Sequence, residues 1–170
     1  MGRGDLTVTD GSGAATGPND PVFSYTERFA AVLMAAGFPP MPARVFVALL
    51  VSASGRLTAA ELAQTLRISP AAVSGAVRYM IQLGLVHKER EPGSRRDHYR
   101  LPDNVWHDML RLRDQVMHRW MALTREGIDL VGPDTPAAAR LAEHLAFFEF
   151  VSAELPEILK RWDEYRDQAR

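Results

Sequence analysis

The sequence predicts a mainly α fold organised around a winged helix-turn-helix, with helices before and after it. Three observations carry the prediction. Thr58-Ala59-Ala60-Glu61 is a capping box that opens a short helix. Ser69-Pro70, one tight turn later, caps a second helix with proline at its first position. Two strand-like runs then follow, separated by the turn Pro92-Gly93-Ser94.

The remaining elements follow from caps and periodicity. Residues 1–19 are rich in Gly, Ser, Thr, Asp and Ala and are expected to form a disordered tail. They have no apolar stretch that could serve as a signal peptide. Residues 20–52 are expected to hold two helices for packing and dimerisation. Asp20-Pro21 caps the first, with Phe29, Val32, Leu33 and Ala36 at helical spacing, and Gly37 stops it. Pro42 opens the second, with Val45, Phe46, Leu49 and Leu50 inward, and Ser54-Gly55 ends it.

The winged module is expected over residues 53–102. Its first helix reaches Leu66, Arg67-Ile68 makes the turn, and its second runs from Ser69 to Leu83, where Gly84 terminates it. Strands are expected from Val86 to Glu91 and from His98 to Leu101. Residues 103–170 are expected to be a helical dimerisation region. One helix carries Trp106, Met109, Leu110, Val116, Met117, Trp120 and Leu123 and ends near Gly127. Thr135-Pro136 caps the last, in which Pro156 predicts a kink or break.

Composition bounds the function. The 170 residues are 46% hydrophobic and 24% charged, enough for a buried core. There is no cysteine, which excludes disulfides, thiolate metal sites and cysteine nucleophiles. No apolar run of about 18 residues is present, so no membrane partner is expected and the compartment is the cytoplasm. No glycine-rich phosphate loop or Gly-x-Ser-x-Gly elbow is present, and no carboxylates are paired in a motif, so no enzyme is expected. The net charge of −1 is unevenly spread. Between Arg56 and Arg100 eight basic side chains face four acidic ones, a net of +4, which leaves −5 for the rest. A basic centre of this kind suits a polyanion.

The second helix of the module has the make-up of a groove-reading helix. Val73, Val77, Met80 and Ile81 form an apolar inner stripe. Ser69, Ala71, Ala72, Ser74, Gly75, Arg78 and Gln82 lie on or near the other face, small or polar enough to approach base edges. Arg78 is suited to guanine or phosphate, and Ser69 to phosphate at a helix N-terminus. At the wing tip Arg95 and Arg96 repel each other unless an anion lies nearby. Asp97 is expected to orient one of them through a fork-like pair.

These segments resemble the MarR family of bacterial regulators. The resemblance lies in residues 57–63 (Leu-Thr-Ala-Ala-Glu-Leu-Ala), 68–74 (Ile-Ser-Pro-Ala-Ala-Val-Ser), 83–86 (Leu-Gly-Leu-Val) and the arginine-tipped wing. Residues 93–100 resemble the branch related to the glycine betaine synthesis repressor. Ser94 stands where the wider family carries aspartate before Arg95. Gly75 and Ala76 fill positions where many relatives carry polar or basic side chains, which implies fewer base contacts or a different operator. The resemblance implies a homodimer that binds double-stranded DNA, with the first and last two helices at the interface. The surplus of aromatic residues in the last two helices independently suits a second copy.

It also implies a small-molecule effector between the dimer helices and the winged module, for which Trp106, Met109, Arg113, Met117 and Trp120 are the candidate lining. No cofactor is expected. Asp114 and His118, four apart, with His107 upstream, are weak metal candidates, and His87 and His98 could face each other across the wing. The reading is thus a transcriptional regulator, expected to repress from a pseudopalindromic operator. The alternatives are a winged-helix protein-interaction module without DNA readout, or a metal-responsive regulator.

Overall fold

A computed structural model describes residues 20–90 and 96–169. The chain divides into two compact units at the Leu101–Pro102 link.

The first unit contains α1 (Pro21–Ala35), α2 (Pro40–Leu50), β1 (Arg56–Thr58), α3 (Ala59–Leu66), α4 (Pro70–Gln82), β2 (His87–Arg90) and β3 (Asp97–Arg100). Its centre is α2, which packs against α1, α3 and α4. A helix that is apolar on nearly every side has to be surrounded. Accordingly Ala43, Val45, Phe46, Val47, Ala48 and Leu49 are all buried. Leu62 and Leu66 from α3, and Val73, Val77 and Met80 from α4, close the core. Each large side chain buried in this way contributes about 1.5–3 kcal/mol.

Local caps set the helix starts. Asp20 Oδ1 accepts from the Val22 N–H at 2.9 Å. Thr58 and Glu61 form the expected reciprocal capping box, and Ser69 Oγ accepts from the Ala72 N–H at 3.2 Å. Between α3 and α4, Arg67 takes a left-handed conformation with φ 53°, and its guanidinium lies 4.3 Å over the Phe23 ring. Arg44 ties three helices together. Its Nε donates to Glu27 Oε1 of α1, and its Nη2 donates to the Leu66 carbonyl at the end of α3, both at 2.7 Å.

The wing is an antiparallel sheet in the order β1-β3-β2. The sequence reading expected two strands and missed β1, whose three residues are too few to show a period. β1 exists because β3 pairs with it, Leu57 opposite Tyr99. The register also corrects the histidine pairing: His87 lies opposite Arg100, and Glu89 opposite His98. β2 begins at His87 rather than Val86, because Val86, like Leu85, is buried in the core, and β3 keeps its expected length but begins one residue earlier, at Asp97.

Other corrections have simple causes. α2 begins at Pro40 rather than Pro42, because proline is tolerated anywhere in the first turn, and it stops at Leu50, short of Ser54-Gly55. Leu50 and Ile81, expected inward, are 40% and 39% exposed, while Ala76, left out of the expected apolar stripe, is 4% exposed. The buried face of α4 thus keeps Val73, Val77 and Met80 and takes Ala76 in place of Ile81.

The second unit is a helical hairpin of α5 (Val105–Val131) and α6 (Pro136–Gln168), packed along each other. α5 does not end at Gly127. There a Cβ would lie 3.4 Å from Leu141 Cδ1, an ordinary contact distance, and the glycine sits within the continuous helix. α6 passes Pro156 without the expected break. The roughly 3 kcal/mol cost of an internal proline is offset by the long pairing with α5. Thr135 caps α6 as expected, its Oγ1 accepting from the Ala138 N–H at 3.1 Å.

Two helices cannot hide their apolar residues from water. Trp106, Trp120, Leu123, Leu130, Phe147, Phe150, Ile158, Trp162 and Tyr165 are all exposed. Among the described residues no helix is long and apolar enough to cross a membrane.

Candidate nucleic-acid interface

The outward face of α4 is a consequence of its inner one. Val73, Ala76, Val77 and Met80 are buried. At 100° per residue the opposite side is then Ala71, Gly75, Arg78 and Gln82, flanked by Ser74 and Tyr79, and all six are exposed. Nothing lies within 4 Å of where a Gly75 Cβ would be, so the backbone there is open to close approach. Ala72 is half-buried at the flank. Ser69 caps the helix, so its oxygen already accepts from the backbone, while its hydroxyl hydrogen remains a donor. The structure thus gathers Ser69, Ala71, Ser74, Gly75 and Arg78 on one exposed side. The sequence reading missed Tyr79, four residues after Gly75 on the same side and 38% exposed. Its i, i+4 spacing from Gly75 was the available signal.

Of the two wing-tip arginines, Arg95 lies outside the described residues. Arg96 is exposed, beside the N-terminus of α3. With Thr58, Glu61, Gln64 and Tyr99 it lines a hollow of about 460 Å³ between α3 and the wing. The Glu61 carboxyl is held below its ordinary value of 4.5, first by the Thr58 backbone N–H and hydroxyl, and more weakly by nearby His98 and Arg96 charge.

Asp97 pairs with Arg90; of the tip arginines expected as its partner, Arg95 lies outside the described residues. Asp97 Oδ1 accepts from Arg90 Nε at 3.0 Å and Nη2 at 2.8 Å, and Oδ2 faces Lys88 Nζ at 2.7 Å. Asp97 lies opposite Arg90 in the sheet, so register decides the pairing. Lys88 and then Arg90 hold the Asp97 carboxyl below its usual range, and Asp97 in turn raises the Lys88 ammonium. Arg100 pairs with Glu89 on the neighbouring strand and lowers that carboxyl. Lys88 and Arg90, two apart on one strand, present cationic groups on one side of the wing. Sequence reading did not single them out, although the Lys-x-Arg alternation was visible.

In the second unit the effector candidates share one side of α5. Trp106, Arg113 and Trp120 are exposed, and Met109 and Met117 are half-buried. Trp120 meets Phe148 edge-on at 5.6 Å between ring centres. None of the five lines the hollow that lies between α5 and α6. His118 Nδ1 donates to the Asp114 carbonyl at 2.9 Å and lies 3.4 Å from its carboxylate, an ordinary helix pair. Among the described residues no group of three or more His, Asp or Glu side chains could hold a metal ion.

A family model described as the MarR family matches residues 36–97. A second, described as an MmpR5-like MarR family transcriptional regulator, matches residues 104–165. The HTH-type transcriptional regulator MmpR5 of Mycobacterium tuberculosis is 25% identical over 150 residues, covering 86% of this chain and 90% of MmpR5. A crystal structure described as that of a transcriptional regulator superposes with a TM-score of 0.72 at 24% identity, over 84% of this chain and 98% of the other. That superposition shows a shared fold.

Proposed function

We propose that this chain is a MarR-family transcriptional regulator that binds DNA rather than an enzyme, and that it works in the cytoplasm as a homodimeric repressor on a pseudopalindromic operator; the matches to MarR-family models over residues 36–97 and 104–165 and the likeness to MmpR5 support the reading. The observation that carries the reading is the exposed side of α4, small and polar from Ala71 to Gln82, next to a wing with Lys88, Arg90 and Arg96. In this mechanism Ser69, Ala71, Ala72, Ser74, Gly75 and Arg78 enter the major groove, and Arg95 and Arg96 hold the flanking backbone. Asp97 keeps Lys88 and Arg90 in one arrangement before DNA arrives, which reduces the ordering cost of binding.

Dimerisation is supported by the large apolar side chains that α5 and α6 leave exposed, among them Trp106, Trp120, Phe147, Phe150 and Trp162, which a second copy would cover. Two copies would set the α4 helices about 34 Å apart, one turn of DNA. An effector at Trp106, Met109, Arg113, Met117 and Trp120 would relieve repression only by its differential affinity for the two helix spacings. Within the family, residues 93–100 favour a place near the glycine betaine synthesis repressor-like branch, whereas the later helices resemble MmpR5.

The test is selection of genomic DNA by the purified protein, light scattering for its mass, and titration of the recovered DNA at two salt concentrations. The expected result is an inverted repeat bound by a dimer, with affinity falling steeply with salt. A double Arg95→Ala, Arg96→Ala variant should lower the salt slope by about one for each phosphate it no longer neutralises. A monomer that enriches no sequence and binds without salt dependence would overturn the reading in favour of a protein-interaction module.

A further inference from the structure

The α5–α6 hairpin encloses a hollow of about 560 Å³, within the size range of small-molecule sites. Its apolar wall is Leu155, Pro156 and Leu159, all from α6. Pro156 has no N–H, so the Ser152 carbonyl receives no helical hydrogen bond from that position. The polar lining is dominated by carboxylates: Asp114, Asp163, Glu164 and Asp167 against the cations Arg111 and Lys160.

The informative group is His107. It lines the hollow, is only 6% exposed, and its Nε2 has no hydrogen-bond partner. Asp163 Oδ1, 3.6 Å away, is likewise shielded from solvent and makes no hydrogen bond. Arg166, which could have satisfied this oxygen, directs Nη1 to Asn104 Oδ1 and stands 3.2 Å from Asp163 without hydrogen-bond geometry. His107 Nε2 and Asp163 Oδ1, together with Arg166 Nε, are thus buried polar atoms without hydrogen-bond partners, an arrangement that costs free energy unless a bound molecule supplies partners.

We propose that this hollow binds a small organic cation, a primary or secondary ammonium carried on a short apolar chain. The ammonium donates to Asp163 Oδ1 and to His107 Nε2, and the chain lies along Leu155, Pro156 and Leu159. The excess of carboxylates disfavours an anion. A bare metal ion lacks ligands, since no three-ligand group exists among the described residues. A quaternary ammonium has charge but no N–H to give. This site goes beyond the regulator reading, and its test contains no DNA, so the two can fail separately.

The experiment is calorimetric titration of the full chain with n-hexylammonium, hexyltrimethylammonium and hexanoate at neutral pH. Hexylammonium should saturate at one per chain. The trimethyl analogue should bind about tenfold more weakly or less, because it cannot satisfy the buried acceptors. Hexanoate should not bind. Asp163→Asn and His107→Phe should each weaken hexylammonium by about tenfold or more while the far-UV spectrum is kept. If either variant loses that spectrum, Glu164→Gln at the rim, expected to weaken binding a few-fold, and nuclear Overhauser contacts from the hexyl chain to the Leu159 methyls decide the matter. No saturation by about 10 mM, equal binding of hexanoate or the trimethyl analogue, or wild-type affinity in folded variants overturns the proposal.

Discussion

Replacing Arg44 by methionine tests how the helix-turn-helix corner is held. The Arg44 side chain is only 15% exposed, and methionine keeps most of its apolar stem, so lost packing is a minor part of the change. The hydrogen bonds to Glu27 and to the Leu66 carbonyl disappear, with a weak third from Nη1 to Met41 Sδ at 3.9 Å. Glu27 is 37% exposed on its side chain and can be rehydrated, so that loss is about 0.5 kcal/mol. The Leu66 carbonyl is different. It belongs to the last turn of α3, where no intrahelical N–H is available, and Leu66 is fully buried. Stranding such a group costs about 1–3 kcal/mol. Arg44→Met should therefore cost about 2 kcal/mol, or roughly 10 °C in the melting of a unit of this size. Glu27→Gln, which leaves the carbonyl bond intact, should cost about 0.5 kcal/mol. Urea unfolding at one fixed protein concentration measures both, because the transition of a dimer depends on concentration. If Arg44→Met costs no more than Glu27→Gln, the carbonyl bond is not what secures the corner, and the reasoning fails.

Arg78→Ala should reduce operator affinity by about 1–3 kcal/mol with no shift in melting temperature, because Arg78 is exposed and outside the core; fluorescence anisotropy and a thermal melt check the two halves. Glu61 has a folded pKa below 4.5, so the stability it contributes is present above that value and lost as pH falls through the folded one; Glu61→Gln should flatten the acid limb of a stability–pH curve. Gly127→Ala should raise the melting temperature: alanine is favoured over glycine in a helix by about 0.5–1 kcal/mol, and the only near neighbour of its Cβ is the flexible tip of Leu141 at 3.4 Å. A drop would mean that the α5–α6 contact has no slack.

Much of the fold was legible because its determinants are local. The Asp20, Thr58, Ser69 and Thr135 caps all act on an N–H two or three residues ahead, so composition at adjacent positions reveals them. The buried stripe of α4 was readable from Val73, Val77 and Met80 for the same reason, and the expected arginine tip and basic centre follow from composition. The misreadings share an opposite feature. Whether Ala76 or Ile81 faces inward depends on how α4 is rotated against α2, and small or intermediate residues carry too little apolar area to fix that rotation alone.

By itself, then, the sequence determined where helices begin, which helix carries small and polar residues outward, and that the region around the wing is basic. Tertiary structure decided what depends on residues far apart in the chain. Strand β1 exists only by pairing with β3, about forty residues later. Asp97 pairs with Arg90 because an antiparallel register sets them opposite each other, whatever lies adjacent in sequence. Gly127, which reads as a helix stop, lies inside an unbroken α5, and Pro156, which reads as a break, is part of a wall. His107 and Asp163 are 3.6 Å apart across two helices, and no local pattern brings them together. Local chemistry acts over one helical turn and leaves its mark in neighbouring residues; packing acts between turns, and only the folded chain displays it.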